Sequence, residues 1–383
     1  MTRPIYFDYA AATPMDPGVV KAMEPYFFDD FYNPSATYLS ARGTKKKLEE
    51  IRRRLAMVLG VKSAEIIFTA GATEANNLAI QGIMNQYPGK EGLISALEHE
   101  SVLEPSRLFA VKEIPADGQG LVRLDRLAGL ISDKTVLISV MLVNNELGTI
   151  QPIKEIATML QKIRANRLVG GNRLPIYLHT DSAQAGNYFD LHVARLGVDL
   201  LSLNGGKIYG PKQSGILYIK TGATLKPLIV GGGQEFGLRS GTENLAAAAG
   251  LAKALEDAAL KRQDEAQRVT RLRKLFENDL AERVFGAVIN GSKNRRAPHI
   301  ISVTIPGTDN ERLMMQLDER GIQCASGSAC SASRTEDSHV LSAIGLSSSE
   351  VRSTLRFSLG RQTEETGIKK AVSILADLTA TNR

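Results

Sequence analysis

Up to about residue 245, segments with hydrophobic residues at helical spacing alternate with short continuous hydrophobic runs. Leu48, Ile51, Leu55 and Val58 occupy the i, i+3, i+7 and i+10 positions of an amphipathic helix. Helices are also predicted for residues 74–84 and 152–165. Short continuous apolar runs, typical of buried strands, occupy residues 65–69, 92–96, 135–143, 175–179, 199–203 and 215–219. This alternation predicts an α/β fold in which helices cover both faces of a mostly parallel sheet.

The pattern changes beyond residue 245. Residues 245–282 are rich in Ala, Leu, Glu, Lys and Arg, which predicts one or two long helices. Further strands are predicted at 288–289, 300–304 and 354–358, with helices at 311–320 and around Ile368, Ala371, Val372 and Leu375. We therefore expect a large domain over residues 15–255 and a smaller α+β domain built from residues 1–14 and 256–383.

Composition narrows the class of protein. The 383 residues are 43% hydrophobic and 23% charged, enough apolar sequence for a large core. The net charge of +6 is spread along the chain, so we expect no direct nucleic-acid partner. The longest apolar run, 136–143, is too short to cross a bilayer, and the first residues lack a targeting pattern. We expect a cytoplasmic protein without membrane attachment.

Lys207 and Asp181 are the first candidates for chemistry. Lys207 follows two glycines in a turn after a predicted strand, where the bare backbone allows a cofactor to approach a Schiff-base lysine. Asp181 ends the preceding predicted strand, and a carboxylate there can pair with the cationic ring nitrogen of pyridoxal phosphate. The alternatives are a surface lysine and a helix-capping aspartate.

Two further strand ends carry candidate residues. Small residues at 69–74 precede a helix, where exposed N–H groups and the Thr73 hydroxyl suit a phosphate; an ordinary capping turn is the alternative. His99 follows the strand predicted at 92–96 and can stack on an aromatic ring or move protons, or it is a structural histidine.

The two cysteines, Cys324 and Cys330, exclude a disulfide scaffold and a Cys-only zinc site, and we expect no metal. Cys330 lies in a loop of Gly, Ser and Ala, which favours a nucleophilic thiol on a mobile arm. Cys324 is interpreted as structural, and a Cys324–Cys330 disulfide is the alternative. Arg356 lies in an apolar strand and needs an acidic partner, for which a substrate carboxylate is suitable.

Many ordered motifs together resemble the NifS/IscS-type cysteine desulfurases, members of the class V aminotransferase group of fold-type I pyridoxal phosphate enzymes. The motifs are Tyr6-Phe-Asp-Tyr-Ala-Ala-Ala-Thr-Pro, Asn33-Pro-Ser, Phe68-Thr-Ala-Gly-Ala-Thr-Glu-Ala-Asn-Asn, Glu98-His-Glu-Ser-Val, Val143-Asn-Asn-Glu-Leu-Gly, Asp181-Ser-Ala-Gln, Lys207-Ile-Tyr-Gly-Pro-Lys, Gly231-Gly-Gly-Gln-Glu, Arg239-Ser-Gly-Thr-Glu-Asn, Ser326-Gly-Ser-Ala-Cys and Arg356-Phe-Ser-Leu-Gly-Arg. The resemblance covers nearly the whole chain.

The resemblance implies roles for individual residues. Lys207 would hold pyridoxal 5'-phosphate, Asp181 would pair with its ring nitrogen, and His99 would stack on the ring and relay protons. The other implied cofactor contacts are Ala72, Thr73, Asn145, Gln184, Asn204 and Thr242, the last of them reaching across from the second subunit of a homodimer.

The resemblance also implies a reaction. Asn33 and Arg356 would bind the carboxylate of L-cysteine, and Cys330, on a loop at about 321–335, would take the sulfur as a persulfide and release L-alanine. The sulfur would pass to an acceptor protein, either an iron–sulfur scaffold or a carrier for tRNA thiolation. Related alternatives are a selenocysteine lyase and a class V aminotransferase; a degenerate scaffold subunit is the non-enzyme alternative.

The sequence departs from the usual family pattern at several positions. Residues Asn204 and Gly206 stand before Lys207 where Ser and His are usual, which predicts weaker cofactor retention. Phe236 replaces Arg, and Tyr38 replaces His. A polar insertion at 166–173 is expected to form a surface loop.

Overall fold

The structure is a computed structural model that describes residues 4–327 and 337–380. Its strands are β1 (Ile5–Tyr6), β2 (Ile66–Thr69), β3 (Glu91–Ser95), β4 (Val111–Ile114), β5 (Thr135–Ser139), β6 (Tyr177–Asp181), β7 (Leu200–Asn204), β8 (Gly215–Ile219), β9 (Val288–Ile289), β10 (Ile300–Thr304), β11 (Ile322–Gln323) and β12 (Thr354–Ser358).

Its α-helices are α1 (Pro17–Met23), α2 (Pro25–Phe28), α3 (Leu39–Leu59), α4 (Ala72–Gln86), α5 (Glu100–Ser106), α6 (Leu124–Leu130), α7 (Ile153–Val169), α8 (Val193–Leu196), α9 (Leu245–Arg283), α10 (Asn310–Glu319), α11 (His339–Ala343), α12 (Ser348–Val351) and α13 (Glu365–Ala380). Within the described ranges, no helix is both long and apolar enough to cross a membrane.

The main sheet has the strand order β2-β8-β7-β6-β5-β3-β4. Strands β7, β6, β5, β3 and β4 run parallel to one another, whereas β8 is antiparallel to both β2 and β7. Every residue of β5, β6 and β8 is buried, as expected for strands that are covered on both faces. The predicted α/β fold with a mostly parallel sheet is confirmed. The carboxyl ends of β2, β6 and β7 lie at the same edge.

A second core surrounds the smaller sheet of order β12-β10-β9. It contains Phe7 from the N-terminal segment together with Phe276 and Phe357, whose rings pack within 6.2 Å of one another. The long segment beyond residue 245 forms one helix, α9. Its buried residues Leu251 and Leu255 belong to the core of the main sheet, while Phe276 belongs to the second core. The predicted domain boundary at 255/256 lies within this helix and remains a prediction.

The strand predicted for residues 135–143 is too long. Strand β5 ends at Ser139, although Val140 and Leu142 stay buried and their N–H groups donate to carbonyls of β6. Between them the N–H of Met141 donates to the carboxyl of Glu98 at 2.6 Å instead of to a strand. The apolar run therefore continues along the sheet, but with irregular backbone that leads into the site described below.

The prediction of a surface loop at 166–173 is wrong for its first part. Helix α7 continues to Val169, and Arg167 is buried. Its guanidinium donates to the carbonyl oxygens of Thr135 at 3.0 Å and Leu174 at 3.2 Å, and also to that of Ser132. The arginine thus links the loop that follows α7 to the start of β5 and the loop before it, a role that its polarity in the sequence concealed.

We expect Arg167→Ala to lower the free energy of unfolding by about 1–3 kcal/mol, because it removes the hydrogen bonds that this buried guanidinium donates to three carbonyls. Arg173→Ala is the matched control, since Arg173 belongs to the same insertion but is exposed; its effect should stay within about 0.5 kcal/mol. Urea unfolding of both variants measures the difference. Equal stabilities of the two variants would contradict a structural role for Arg167.

Candidate active site

A cavity of about 210 Å³ opens at the carboxyl edge of β2, β6 and β7. Ligands of open α/β sheets bind at this edge. The sequence-predicted residues that line the cavity are Ala72, Thr73, His99, Asn145, Asp181, Gln184, Asn204, Lys207 and Arg356. The chain folds so that residues from distant motifs face one space.

Lys207 closes a short 3-10 turn, Gly205–Lys207, directly after β7. Its Nζ donates to the carbonyl oxygens of Ala10 at 2.8 Å and Ala11 at 2.5 Å. A Cβ atom on Gly205 would lie 2.1 Å from Oγ of Ser214, so this position requires glycine. The close packing under the turn holds the lysine amine at the cavity, which contradicts the alternative of a lysine in an unconstrained surface turn.

Asp181 ends β6 and is almost completely buried. Its Oδ1 accepts the N–H of Ala183 at 2.8 Å, and its Oδ2 accepts Nδ2 of Asn76 at 2.7 Å. A turn follows the strand instead of a helix, so Asp181 does not cap a helix. Two donors fix the carboxylate in the cavity wall, where it can pair with a cationic group.

Helix α4 begins at Ala72, two residues earlier than predicted, and its amino end faces the cavity. The capping residue, Gly71, has φ of 107°, a conformation that favours glycine, and supplies no side-chain cap. The first N–H groups of the helix and the Thr73 hydroxyl are thus positioned for an anion. Asn204, whose Oδ1 accepts the N–H of Gly206 at 2.9 Å, lines the same cavity.

His99 caps α5 with its own ring. Its Nδ1 accepts the backbone N–H of Ser101 at 3.0 Å and lies 2.9 Å from the Ser101 hydroxyl oxygen. The ring lines the cavity, as the sequence predicts for a residue that contacts a ligand. The same ring therefore has a structural and a site-facing role.

Arg356 already has an acidic partner within the chain. Its Nη2 donates to Oδ1 of Asp8 at 2.7 Å, and its Nη1 donates to the carbonyl of Asn145 at 3.1 Å. The side chain is buried, and Nε has no hydrogen-bond partner among the described residues. These two contacts use two of the five N–H donors of the guanidinium, so donors remain for a ligand carboxylate. Sequence reasoning missed Asp8, although it stands in the first quoted motif.

Gln184 contacts His299, a second residue that sequence reasoning missed. Its Nε2 donates to the carbonyl of Ala10 at 2.9 Å, and its Oε1 lies 3.3 Å from Nε2 of His299. The His299 ring stacks on Tyr188 at 4.4 Å, and burial lowers the pKa of His299 to about 3. A neutral, buried histidine thus lies behind the glutamine and holds its amide orientation.

Glu98 is buried beside the cavity and was also missed. Burial raises its pKa to about 8. Oε1 accepts the N–H of Met141, while Oε2 has no partner among the described residues. Its position next to His99, in an apolar stretch of sequence, is the signal that could have identified it.

Asn33 and Thr242 lie outside this cavity within one chain. Asn33 is exposed, and its Oδ1 accepts the N–H of Ser35 at 2.9 Å. Thr242 is exposed and lines a separate cavity of about 300 Å³. Cys330, and with it the alternative Cys324–Cys330 disulfide, lies outside the described residues.

Comparison with known proteins identifies the family. The class V aminotransferase family model matches residues 5–370. A cysteine desulfurase IscS of Dictyoglomus turgidum is 39% identical over 382 residues, which cover 98% of this chain and 94% of that protein. This chain belongs to the NifS/IscS-type cysteine desulfurases of the class V aminotransferase family. The family expected from the sequence is confirmed, and the desulfurase is an enzyme whose cofactor is pyridoxal 5'-phosphate.

Solved structures agree with this assignment of the desulfurase. A NifS-like protein superposes with a TM-score of 0.88 at 30% identity, and the alignment covers 99% of this chain and 100% of that one. SspA in complex with cysteine superposes with a TM-score of 0.79 at 35% identity, covering 93% of this chain and 98% of that one. The expected fold of type I pyridoxal phosphate enzymes is confirmed.

The cavity of the desulfurase fits pyridoxal phosphate chemically. It offers a primary amine for the aldehyde (Lys207), a buried carboxylate for the ring nitrogen (Asp181) and an uncapped helix N-terminus for the phosphate (α4). These three groups come from different elements that end at one sheet edge.

Cys324 follows β11 and is partly buried. Burial, with a smaller contribution from Asp8, raises the pKa of its thiol to about 12. Since the thiolate is the reactive form, the thiol is inert near neutral pH. This agrees with the structural role predicted for Cys324.

In a Cys330→Ser variant, Cys324 is the remaining thiol, and we expect iodoacetamide at pH 8 to leave it unmodified. With a pKa of about 12, roughly 10⁻⁴ of the thiol is ionised at that pH. The rate should rise steadily with pH up to the pKa. Mass spectrometry follows the adduct, and urea-unfolded protein is the control that must react fully. Rapid labelling of the folded variant would contradict the high pKa.

Proposed function

We propose that this desulfurase removes the sulfur of L-cysteine at the cavity around Lys207 and passes it to the thiol of Cys330, releasing L-alanine. The convergence of Lys207, Asp181 and His99 on one cavity is the observation that carries the proposal. The solved relative in complex with cysteine supports the choice of substrate.

We assign the cofactor contacts as follows. Lys207 binds the aldehyde carbon, Asp181 pairs with the ring nitrogen, and His99 stacks on the ring and relays protons. The phosphate lies at the amino end of α4, with Ala72, Thr73 and Asn204 around it, and Asn145 and Gln184 contact the side of the ring hydroxyl. When bound, pyridoxal phosphate withdraws electrons from the bonds at the substrate Cα.

Arg356 binds the substrate carboxylate in this proposal. Its side chain lines the cavity, and the contacts with Asn145 and Asp8 use only two of its five N–H donors, so donors remain for a carboxylate. Asp8 holds the guanidinium in place from the other side through Nη2. Asn33 is the second proposed carboxylate contact; because it is exposed and outside the cavity of its own chain, a rearrangement or a second subunit must supply it.

The sulfur transfer balances without an external oxidant. The thiolate of Cys330 attacks the substrate sulfur, so that an S–S bond forms while the C–S bond breaks. The electron pair of the C–S bond stays with the carbon, which takes up protons through His99 and Lys207 and leaves as L-alanine. Cys330 keeps the sulfur as a persulfide for an acceptor protein, either an iron–sulfur scaffold or a carrier for tRNA thiolation.

We further propose a homodimer that works in the cytoplasm. Thr242 lines a cavity separate from the site of its own chain, so a contact with the cofactor phosphate requires a second copy. Two ion pairs hold its loop in place: Glu235 pairs with Arg52 of α3 at 2.7 Å, and Arg239 pairs with Glu74 in the first turn of α4 at 2.9 Å. A rigid loop with an exposed threonine is suited to reach across an interface.

Alanine and sulfide release from L-cysteine, measured with a thiol reductant, tests the function. We expect Cys330→Ser to lower the rate by at least about 100-fold, because the nucleophile is lost. Cys324→Ser should keep the rate within about 2-fold, and intact mass analysis should locate one added sulfur on Cys330 of the wild type.

Other outcomes identify other functions. Full activity of Cys330→Ser would refute the assigned nucleophile. Activity with selenocysteine alone would indicate a selenocysteine lyase, and amino transfer to a 2-oxo acid would indicate an aminotransferase. Absence of all three activities in the cofactor-loaded wild type would indicate a degenerate scaffold subunit.

We expect Gly206→His to tighten pyridoxal phosphate binding by about 5- to 150-fold, the equivalent of one additional hydrogen bond of about 1–3 kcal/mol. A Cβ at position 206 meets no atom of the described residues closer than 3.4 Å, so the position accepts a side chain. Gly206→Leu is the matched control, which fills the same space without a donor. Titration of the apoprotein measures the affinity, and equal Kd values for both variants would contradict the prediction.

A further inference from the structure

A continuous row of hydrogen bonds joins His99 to Asp181 through two side chains that the proposed function does not use. The hydroxyl oxygen of Ser101 lies 2.9 Å from Nδ1 of His99. Nδ2 of Asn76 lies 2.8 Å from that hydroxyl oxygen and 2.7 Å from Oδ2 of Asp181. Asn76 is completely buried, and both Ser101 and Asp181 are less than one-tenth exposed. The row thus lies in the wall of the cavity, shielded from solvent.

The chemistry of each group fixes the direction of these bonds. An ionised carboxylate only accepts, so Asn76 turns its NH₂ group towards Asp181, and the second hydrogen of that group is donated to Ser101. The Ser101 hydroxyl, which accepts from Asn76, gives its own hydrogen to Nδ1 of His99. The backbone N–H of Ser101 donates to the same nitrogen at 3.0 Å.

Nδ1 of His99 therefore accepts from two donors and carries no proton. A neutral imidazole has one N–H, which must then be on Nε2. In an imidazolium, Nδ1 would also carry a hydrogen, which would point at the hydroxyl and backbone hydrogens of Ser101 and be repelled by them. The surroundings of Nδ1 therefore favour the neutral ring. The tautomer follows from the bonds at Nδ1 alone.

We infer that Asn76 and Ser101 are positioning residues of the desulfurase: they hold His99 as the Nε2–H tautomer and tie its orientation to the carboxylate of Asp181. The inference rests on the roles proposed for His99 and Asp181. As this tautomer, His99 begins the reaction as a proton donor, and the proton that it gives is the one on Nε2. The amine of Lys207, in the same cavity, is then the group that takes a proton from the substrate.

Capping alone does not require these two side chains. The cap of α5 uses the backbone N–H of Ser101, which any residue other than proline supplies. Asn76 lies inside α4 and is unfavourable there: asparagine is a weak helix former, and its Oδ1 is buried without a partner among the described residues. The two hydrogen bonds that its NH₂ group donates, to Ser101 and to Asp181, explain a buried amide in that position.

The tautomer can be read directly from ¹⁵N spectra of the holoenzyme labelled at its five histidines, with His99 assigned by its loss in His99→Gln. We expect a protonated Nε2 and an unprotonated Nδ1 for His99 near neutral pH. In Ser101→Ala, the Nδ1 resonance should move towards that of a nitrogen with fewer donors, and Ser101→Thr should restore it. A proton on Nδ1 in the wild type, or a Ser101→Ala spectrum identical to wild type, would overturn the inference.

Ser106→Ala is the matched control, because Ser106 is also buried in α5 but donates to the carbonyl of Leu103. It should leave both the His99 spectrum and the kinetics unchanged. We expect kcat of Ser101→Ala to fall about 3- to 30-fold with little change in KM, less than the 100-fold or larger loss typical of removing an acid–base residue.

Failure of the inference and failure of the proposed function give different results. A wild type that forms no alanine from L-cysteine but shows the Nε2–H tautomer would refute the function and leave the hydrogen-bonded row intact. An active wild type in which Nδ1 of His99 carries the proton would refute the inferred roles of Asn76 and Ser101 and leave the proposed function intact. The wild-type spectrum decides this even where a variant fails to fold.

Discussion

Arg356 is the residue through which the second core and the site depend on each other. Its guanidinium is buried, and a buried charge needs partners because removal from water is costly. The partners come from both sides: Asp8 of the N-terminal segment and the carbonyl of Asn145, which follows the main sheet. Its backbone exchanges hydrogen bonds with Ala325 at 2.7 and 3.1 Å. One arginine thereby joins the N-terminal segment, the main-sheet side and the segment at Ala325, just after β11.

The fold and part of the site were predictable because they depend on local patterns. Continuous apolar runs indicated the parallel sheet, and a lysine after two glycines and an aspartate at a strand end indicated the cavity. Sequence reasoning missed Asp8 and Asn76 because their partners, Arg356 and Asp181, are far away in the sequence. It missed Ser101, only two residues from His99, because a serine in the first turn of a helix is common. Asn76 does leave a trace, as a polar residue on the otherwise apolar face of α4.

Two errors have a shared physical cause. The strand predicted to reach residue 143 ends at Ser139 because the Glu98 carboxyl takes the N–H of Met141, and the polar insertion continues a helix because Arg167 finds carbonyl partners. In both places, a side chain satisfies backbone groups that a strand or water would otherwise satisfy. Hydropathy patterns do not show when a side chain becomes the hydrogen-bond partner of a backbone group. The ends of helices and strands are therefore where sequence and structure differ most.

Helix α9 has a mechanical consequence. Its 39 residues extend for about 58 Å, with one end packed in the core of the main sheet and the other in the second core. Because α9 is continuous, this part of the chain has no loop between the two cores that could serve as a hinge. A displacement of one core relative to the other would therefore have to bend or tilt the helix. Leu260, 83% exposed between the two packed ends, marks the stretch where bending disturbs the fewest buried contacts. Any change in the spacing of the two cores would therefore have to deform this helix.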